Sequence, residues 1–264
     1  MSTSYVALDL ETTGLDPEAD RIIEVGAVRF QADGTELATF QRLVNPGRPI
    51  PAFIERFTGV TSEMVADAPG IEAIAHDLEA FVGGAVVVGH NIGFDLHYLA
   101  REGVRLRVEA LDTAELSRYL APGLRSHGLA EVARDLGVEI AGHHRALNDA
   151  QTAAAVFTRL LDRAARLAPE QRSQLARFVA VNEPGLAAAI SGSGREQAPT
   201  GGHIPALSKP PEYLALERTE PPVPVTAADL DAGFAAAARV MERFEDRPEQ
   251  RQMAEAVREG FERG

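Results

Sequence analysis

The chain has no cysteine, a single lysine (Lys209) and no long apolar run. Without cysteine, these residues hold no disulfide framework, no thiolate metal site and no cysteine-held iron–sulfur cluster. No stretch approaches the roughly 20 apolar residues of a membrane span. The first residues form no basic and apolar leader, so the expectation is a cytoplasmic protein with no membrane partner. Positive charge is therefore almost all arginine, which, beside so much alanine, reads as compositional bias. A net charge of −13 argues against a broad basic surface for nonspecific nucleic-acid binding. It leaves room for an enzyme that grips a short nucleic-acid end through metals and a local patch.

What is present begins with Val6-Ala7-Leu8-Asp9-Leu10-Glu11-Thr12-Thr13-Gly14. Apolar and β-branched residues lead into a closing glycine, the pattern of a buried strand ending in a turn. Side chains alternate along a strand, so Asp9 and Glu11 leave the same face. Two adjacent carboxylates on a buried strand are tolerated only if protonated, paired with bases or bound to cations. With no Lys or Arg in the stretch, a divalent ion such as Mg²⁺ or Mn²⁺ suits the oxygen donors. The dipeptide pattern by itself fits equally well a carboxylate facing water beside one capping a turn.

Further along, residues 21–30 and 37–44 read as two strands joined by Asp33-Gly34, a hairpin signal. Prolines at 46, 49 and 51 end it, and a short helix is expected over 52–57. Helical spacing appears over 71–81, 94–102, 113–119, 129–136 and 147–167, with short strands at 85–89 and 109–111 between. A hairpin followed by strand–helix alternation implies an α/β fold, a mixed β-sheet flanked by helices on both sides.

Two further stretches carry acids where a site at a sheet edge would need them. Asn91-Ile92-Gly93-Phe94-Asp95 follows the apolar strand and opens a helix. His144-Arg145-Ala146-Leu147-Asn148-Asp149 sits on a loop entering the long helix, placing a titratable base five residues from an acid. Arg101, Arg105, Arg107, Arg125 and Arg145 read equally well as a phosphate track or as a solvated face.

Asp9-x-Glu11, Asn91-x-x-Phe94-Asp95 and His144-x-Ala146-x-x-Asp149 occur in the order and spacing of the three motifs of the DEDDh exonucleases. Over roughly residues 5–165 the chain resembles the epsilon-like proofreading branch of that family. Supporting matches are Thr12-Thr13-Gly14-Leu15, Thr58-Gly59-Val60-Thr61 and Asp112-Thr113. The resemblance implies a ribonuclease-H-like fold and removal of nucleotides from a 3′ end as monophosphates. It implies that Asp9, Glu11, Asp95 and Asp149 hold two Mg²⁺ or Mn²⁺ ions, with His144 deprotonating the attacking water. Thr13, Gly14, Leu15, Thr58, Asn91 and Phe94 are the positions matching contacts to the terminal nucleotide. Single-stranded DNA is the expected substrate; the alternatives are a ribonuclease acting on RNA 3′ ends and a non-catalytic module that binds a 3′ end.

Residues 168–190 are expected to form a helical extension, 191–225 a flexible Pro/Gly-rich linker, and 226–264 a helical tail, after an exonuclease domain over 1–167. In the tail, Phe244, Arg247 and Gln250 resemble the adenine-framing Q motif of DinG-type helicases. That implies a C-terminal helicase domain in a longer protein as a partner. No Gly-x-x-x-x-Gly-Lys-Ser/Thr loop occurs, so no ATP site is completed and no ATPase activity is expected.

Overall fold

Period-two alternation along the first strand divides the described part of the molecule, residues 4–140 and 144–193 of the computed structural model, into two layers of helices about one sheet. The strands are β1 (Ser4–Thr12), β2 (Ile22–Gln31), β3 (Glu36–Leu43), β4 (Val86–Gly89) and β5 (Ala110–Asp112), in the order β3-β2-β1-β4-β5. The β1–β2 and β2–β3 pairs are antiparallel, whereas β1–β4 and β4–β5 are parallel, so the sheet is mixed as expected. The helices are α1 (Ala52–Thr58), α2 (Ser62–Val65), α3 (Ile71–Val82), α4 (Ile92–Arg101), α5 (Thr113–Leu120), α6 (Leu129–Asp135), α7 (Ala146–Ala165), α8 (Pro169–Val179) and α9 (Pro184–Gly192).

Val6, Leu8 and Leu10 of β1 pack with Ile74 and Leu78 of α3 and with Tyr98 and Leu99 of α4. Tyr5 and Ala7, on the opposite face, pack with Val28 and Phe30 of β2 and with Val156, Phe157 and Leu160 of α7. The rings of Tyr5, Phe30 and Phe157 form one cluster, with centroids 5.1 to 6.2 Å apart. Burial of the Phe30 and Phe157 rings contributes about 1.5–3 kcal/mol each by leaving water, which locks α7 onto its face of the sheet. Continuing the alternation past Ala7 carries Asp9 and Glu11 onto the α7 face.

Most elements lie within two residues of their expected bounds. The four-residue α2, with Thr61 capping it through an accepted bond from Met64 N, lies in a stretch to which the sequence assigns no element. The fourth helix begins at Ile92 rather than Phe94, because Asn91 adopts a left-handed conformation (φ 62°) that turns the chain straight off β4. The α9 helix runs to Gly192, two residues into the stretch that composition assigns to a linker, because Leu186, Ala187 and Ile190 are buried in the α7-side core. The remaining linker and the tail with Phe244, Arg247 and Gln250 lie outside the described residues. Among the described residues, no helix is long and apolar enough to cross a membrane.

Candidate active site

The C-terminal half of β1 delivers Asp9 and Glu11 to the α7 face, and the first turns of α7 deliver Asp149 to the same place. Carboxylate oxygens of Asp9, Glu11 and Asp149 all lie within 4.8 Å of one another. Glu11 is buried, and Asp9 is partly open to solvent although protein surrounds it on most sides. A register irregularity between Glu11 and Thr12 ends the regular pairing just past the acids.

Asp95 arrives from another direction, in the first turn of α4. It is buried, and its Oδ1 accepts a 3.0 Å bond from the backbone N–H of Leu10, which ties α4 to the strand between the two β1 acids. It stands outside the group of three oxygens but is close enough to act on Asp9 electrostatically.

Burial and mutual repulsion dominate the electrostatics. Burial raises the Asp9 carboxyl well above the usual range, and the charges of Asp95, Asp149, Glu11 and Glu24 add to it. Glu11 is pushed up to about 8, by burial first and then by Asp149, with Arg145 opposing. Asp95 is also pushed up to about 8, mainly by burial, while its bond from Leu10 N opposes. An all-oxygen donor set under such repulsion matches a hard divalent cation. The residues present therefore fit Mg²⁺ or Mn²⁺.

His144 precedes α7 with φ 62°, and its backbone N–H donates to Asp149 Oδ2 at 3.1 Å. Its ring lies against Phe57 at the end of α1, with centroids 3.7 Å apart. Phe57 is half exposed, and nothing in the sequence marks it, because only the approach of α1 to residue 144 makes the stack.

Of the positions expected to meet a terminal nucleotide, Leu15 is 83% exposed beside the acids of β1, and Asn91 is exposed at the start of α4. Phe94 is half-buried and packs on Tyr98. The Thr13 hydroxyl is held inside its own loop, donating to Asp20 Oδ1 and accepting from Arg21 N. The Thr58 hydroxyl likewise donates to Ile54 O and accepts from Val60 N, and the Gly14 carbonyl accepts from the Tyr98 hydroxyl. These bonds hold the loops after β1 and after α1 in shape.

Two of the arginines read as a phosphate track have carboxylate partners instead. Arg101 pairs with Glu18, and Arg145 pairs with buried Glu24. His90 bridges Thr113 Oγ1 and the His127 carbonyl, so it joins β4 to the loop before α6. Glu24 and Gly26 on β2 go unremarked in the sequence. Yet a lone acid and a glycine within the apolar run Ile22–Val28 are signals of a special environment and of close backbone approach. Both lie on the α7 face, Glu24 opposite Glu11 and Gly26 opposite Asp9.

A family model described as Exonuclease matches residues 6–157. The chain is 37% identical over 164 residues to DNA polymerase III subunit epsilon of Aquifex aeolicus, covering 60% of this chain and 81% of that protein. It is 36% identical over 180 residues to the 3′-5′ exonuclease DinG of Bacillus subtilis, covering 66% of this chain but 19% of DinG. A PolC-type DNA polymerase III of Caldanaerobacter subterraneus is 39% identical over 163 residues, with 60% of this chain and 12% of that protein covered. The chain thus spans only a small part of the DinG and PolC-type relatives. Among solved structures, Exonuclease X in complex with 5′ overhanging duplex DNA superposes with a TM-score of 0.52 at 25% identity, over 70% of this chain and 99% of that one. The nuclease domain of 3′hExo, a DEDDh family member bound to rAMP, superposes with a TM-score of 0.53 at 19% identity, over 61% and 92%. The architecture is the ribonuclease-H-like one expected from the motifs.

Proposed function

Because the chain belongs to the Exonuclease family, in its DEDDh 3′–5′ branch, we propose that it hydrolyses the 3′-terminal phosphodiester of single-stranded DNA with the help of two Mg²⁺ or Mn²⁺ ions. The observation that carries this reading is the convergence of the Asp9, Glu11 and Asp149 oxygens within 4.8 Å. Asp9, Glu11, Asp95 and Asp149 would hold the ions, Asp9 shared between both, Glu11 and Asp149 completing one site and Asp95 serving the other. When bound, such a pair supplies a clamp on the attacking and leaving oxygens of an in-line displacement.

The protein's own part is positioning and proton transfer. A ring nitrogen of His144 takes a proton from the attacking water; the water oxygen bonds to phosphorus as the bond to the 3′ oxygen of the preceding nucleotide breaks. A nucleoside 5′-monophosphate leaves, the 3′ oxygen of the shortened chain takes a proton from solvent to become a hydroxyl, and His144 returns its proton to solvent. Histidine is the side chain that most often serves as a general base. Leu15, Asn91, Phe94 and the loop from Thr58 surround the terminal nucleotide. The likeness to DinG supports a helicase domain as partner in a longer chain, acting in replication or repair.

The experiment uses a single-stranded DNA labelled at its 5′ end, with Mn²⁺, Mg²⁺ or chelator, and the Asp149→Asn variant. A ladder shortening from the 3′ end, lost with chelator and in Asp149→Asn, is the expected result. Binding to the folded state alone stabilises by about 2.7 kcal/mol at a hundredfold excess over Kd, so Mn²⁺ is expected to raise Tm by about 5–10 °C. Intact DNA alongside degraded RNA would establish the ribonuclease reading. A 3′ end bound but never cut would establish the binding module.

Phe57→Ala tests how His144 is held. A stacked ring pair contributes about 0.5–1.5 kcal/mol, so kcat is expected to fall up to about tenfold. Losing the stack is expected to lower Tm by only about 1–6 °C. An unaltered kcat would show that the stack does not orient the base.

A further inference from the structure

Glu24 is a charged residue in the middle of an apolar strand, 0% exposed, and none of the steps above uses it. Its carboxylate accepts from Arg145 Nη2 at 2.7 Å and Arg145 Nε at 3.0 Å, from the backbone N–H of Ala146 at 3.2 Å and from Gln41 Nε2 at 2.8 Å. Strands β2 and β3 thus grip the segment 145–146 through one side chain. That segment lies between His144 and Asp149. On the other side, Glu24 faces Glu11 across the β1–β2 ladder.

Placing a buried carboxylate beside an acidic cluster is unfavourable, since it adds repulsion to both Asp9 and Glu11. As a staple for stability the pair is a poor choice, because desolvation offsets much of the Coulombic gain and apolar residues of similar volume usually serve as well. What a bidentate arginine–carboxylate pair does supply is a fixed orientation. Here the orientation fixed is that of the chain entering α7, relative to the strand carrying Asp9 and Glu11.

We propose that Glu24 is a positioning residue of the hydrolytic site, using Arg145 and Ala146 N–H to set His144 and Asp149 at working distance from Asp9 and Glu11. This rests on the function proposed above. It predicts that Glu24 and Arg145 act as one unit, and that their loss is felt in the metal site and the chemical step more than in the fold.

The test compares the full chain with Glu24→Gln, Arg145→Gln and the double variant. Each is assayed for kcat and KM on single-stranded DNA, and for the Mn²⁺ concentration giving half of the Mn²⁺-induced rise in Tm. Glu24→Gln keeps shape and the Gln41 contact, and the half-exposed Arg145 can turn to solvent. Expected for either single variant is a kcat loss of at least about tenfold, with KM within about threefold. The Mn²⁺ midpoint should rise at least about tenfold, the low end of what outer partners of metal ligands usually contribute. The double variant should be no worse than the worse single one.

Variants that melt earlier but keep wild-type kcat and Mn²⁺ midpoint would overturn the proposal, leaving Glu24 a structural ion pair. Should Glu24→Gln not fold, Arg145→Gln decides in the same way. If the wild-type protein cuts no nucleic acid, the proposed function fails while the Mn²⁺ midpoint still decides for or against Glu24.

Discussion

Asp9→Asn is expected to abolish hydrolysis and, in the absence of metal, to make the protein more stable. Asparagine keeps the shape of aspartate but removes the charge at the centre of four acids. Losing several kcal/mol of transition-state stabilisation lowers kcat by about a thousandfold or more. The metal-free fold meanwhile loses a repulsion that raises Asp9 through Asp95, Asp149, Glu11 and Glu24. A gain on the order of 1 kcal/mol corresponds to about 2–4 °C in Tm for a chain of this size.

The sign also fixes a pH dependence. Glu11 and Asp95 stand at about 8 in the folded protein, above their ordinary values of 4.5 and 3.8. The folded state therefore holds protons that the unfolded state releases, and its stability is full below those ordinary values. It is lost as pH rises toward about 8. Metal-free Tm should therefore fall between pH 5 and 8, less steeply in Asp9→Asn, and saturating Mn²⁺ should remove most of the fall in the wild type. Thermal melts with and without chelator, beside a 3′-digestion assay, check all of this. An Asp9→Asn protein retaining a tenth of wild-type activity would place the chemistry elsewhere.

The second large effect is at Gly26. A Cβ there would sit 2.1 Å from the Ala146 carbonyl carbon and 2.1 Å from the Leu147 nitrogen, both backbone atoms. Ordinary contact needs well over 3 Å, so Gly26→Ala must push the start of α7 away from the sheet. Gly26 is the cross-strand neighbour of Asp9, so the displacement falls on the gap between Asp9 and Asp149. Overpacking of this kind costs about 1–3 kcal/mol or more, and a shift of about 1 Å at a reacting centre costs roughly a hundredfold in rate. Melting and kcat measured on the same preparation check both. A variant with wild-type kcat would mean that α7 can yield without moving Asp149.

The acids themselves are legible in the chain. Alternation along a strand puts Asp9 and Glu11 on one face, and a loop running into a long helix puts His144 close to Asp149. The α7 stripe is legible only in part. Helical spacing puts Leu147, Ala150, Ala154, Phe157 and Leu161 on one apolar stripe, yet the helix buries Ala146 and leaves Leu147 half-buried. At Gly26 the absent side chain lets the α7 backbone at Ala146 and Leu147 come close to the sheet. Likewise Arg145 reads as a surface cation until β2 brings Glu24 beneath it.

Local sequence determines which face each strand residue takes, where helices begin and which residues are able to bind a cation, because these follow from alternation, periodicity and donor chemistry over a few neighbours. The pairing of β1 with β2 joins residues up to 27 positions apart, Ser4 with Gln31, and sets Asp9 against Gly26 and Glu11 against Glu24. The docking of α7 then joins Arg145 to Glu24 across 121 positions. Those contacts decide how close the acids stand and what holds them there. They arise from packing both faces of one sheet at once, which no short stretch of chain encodes.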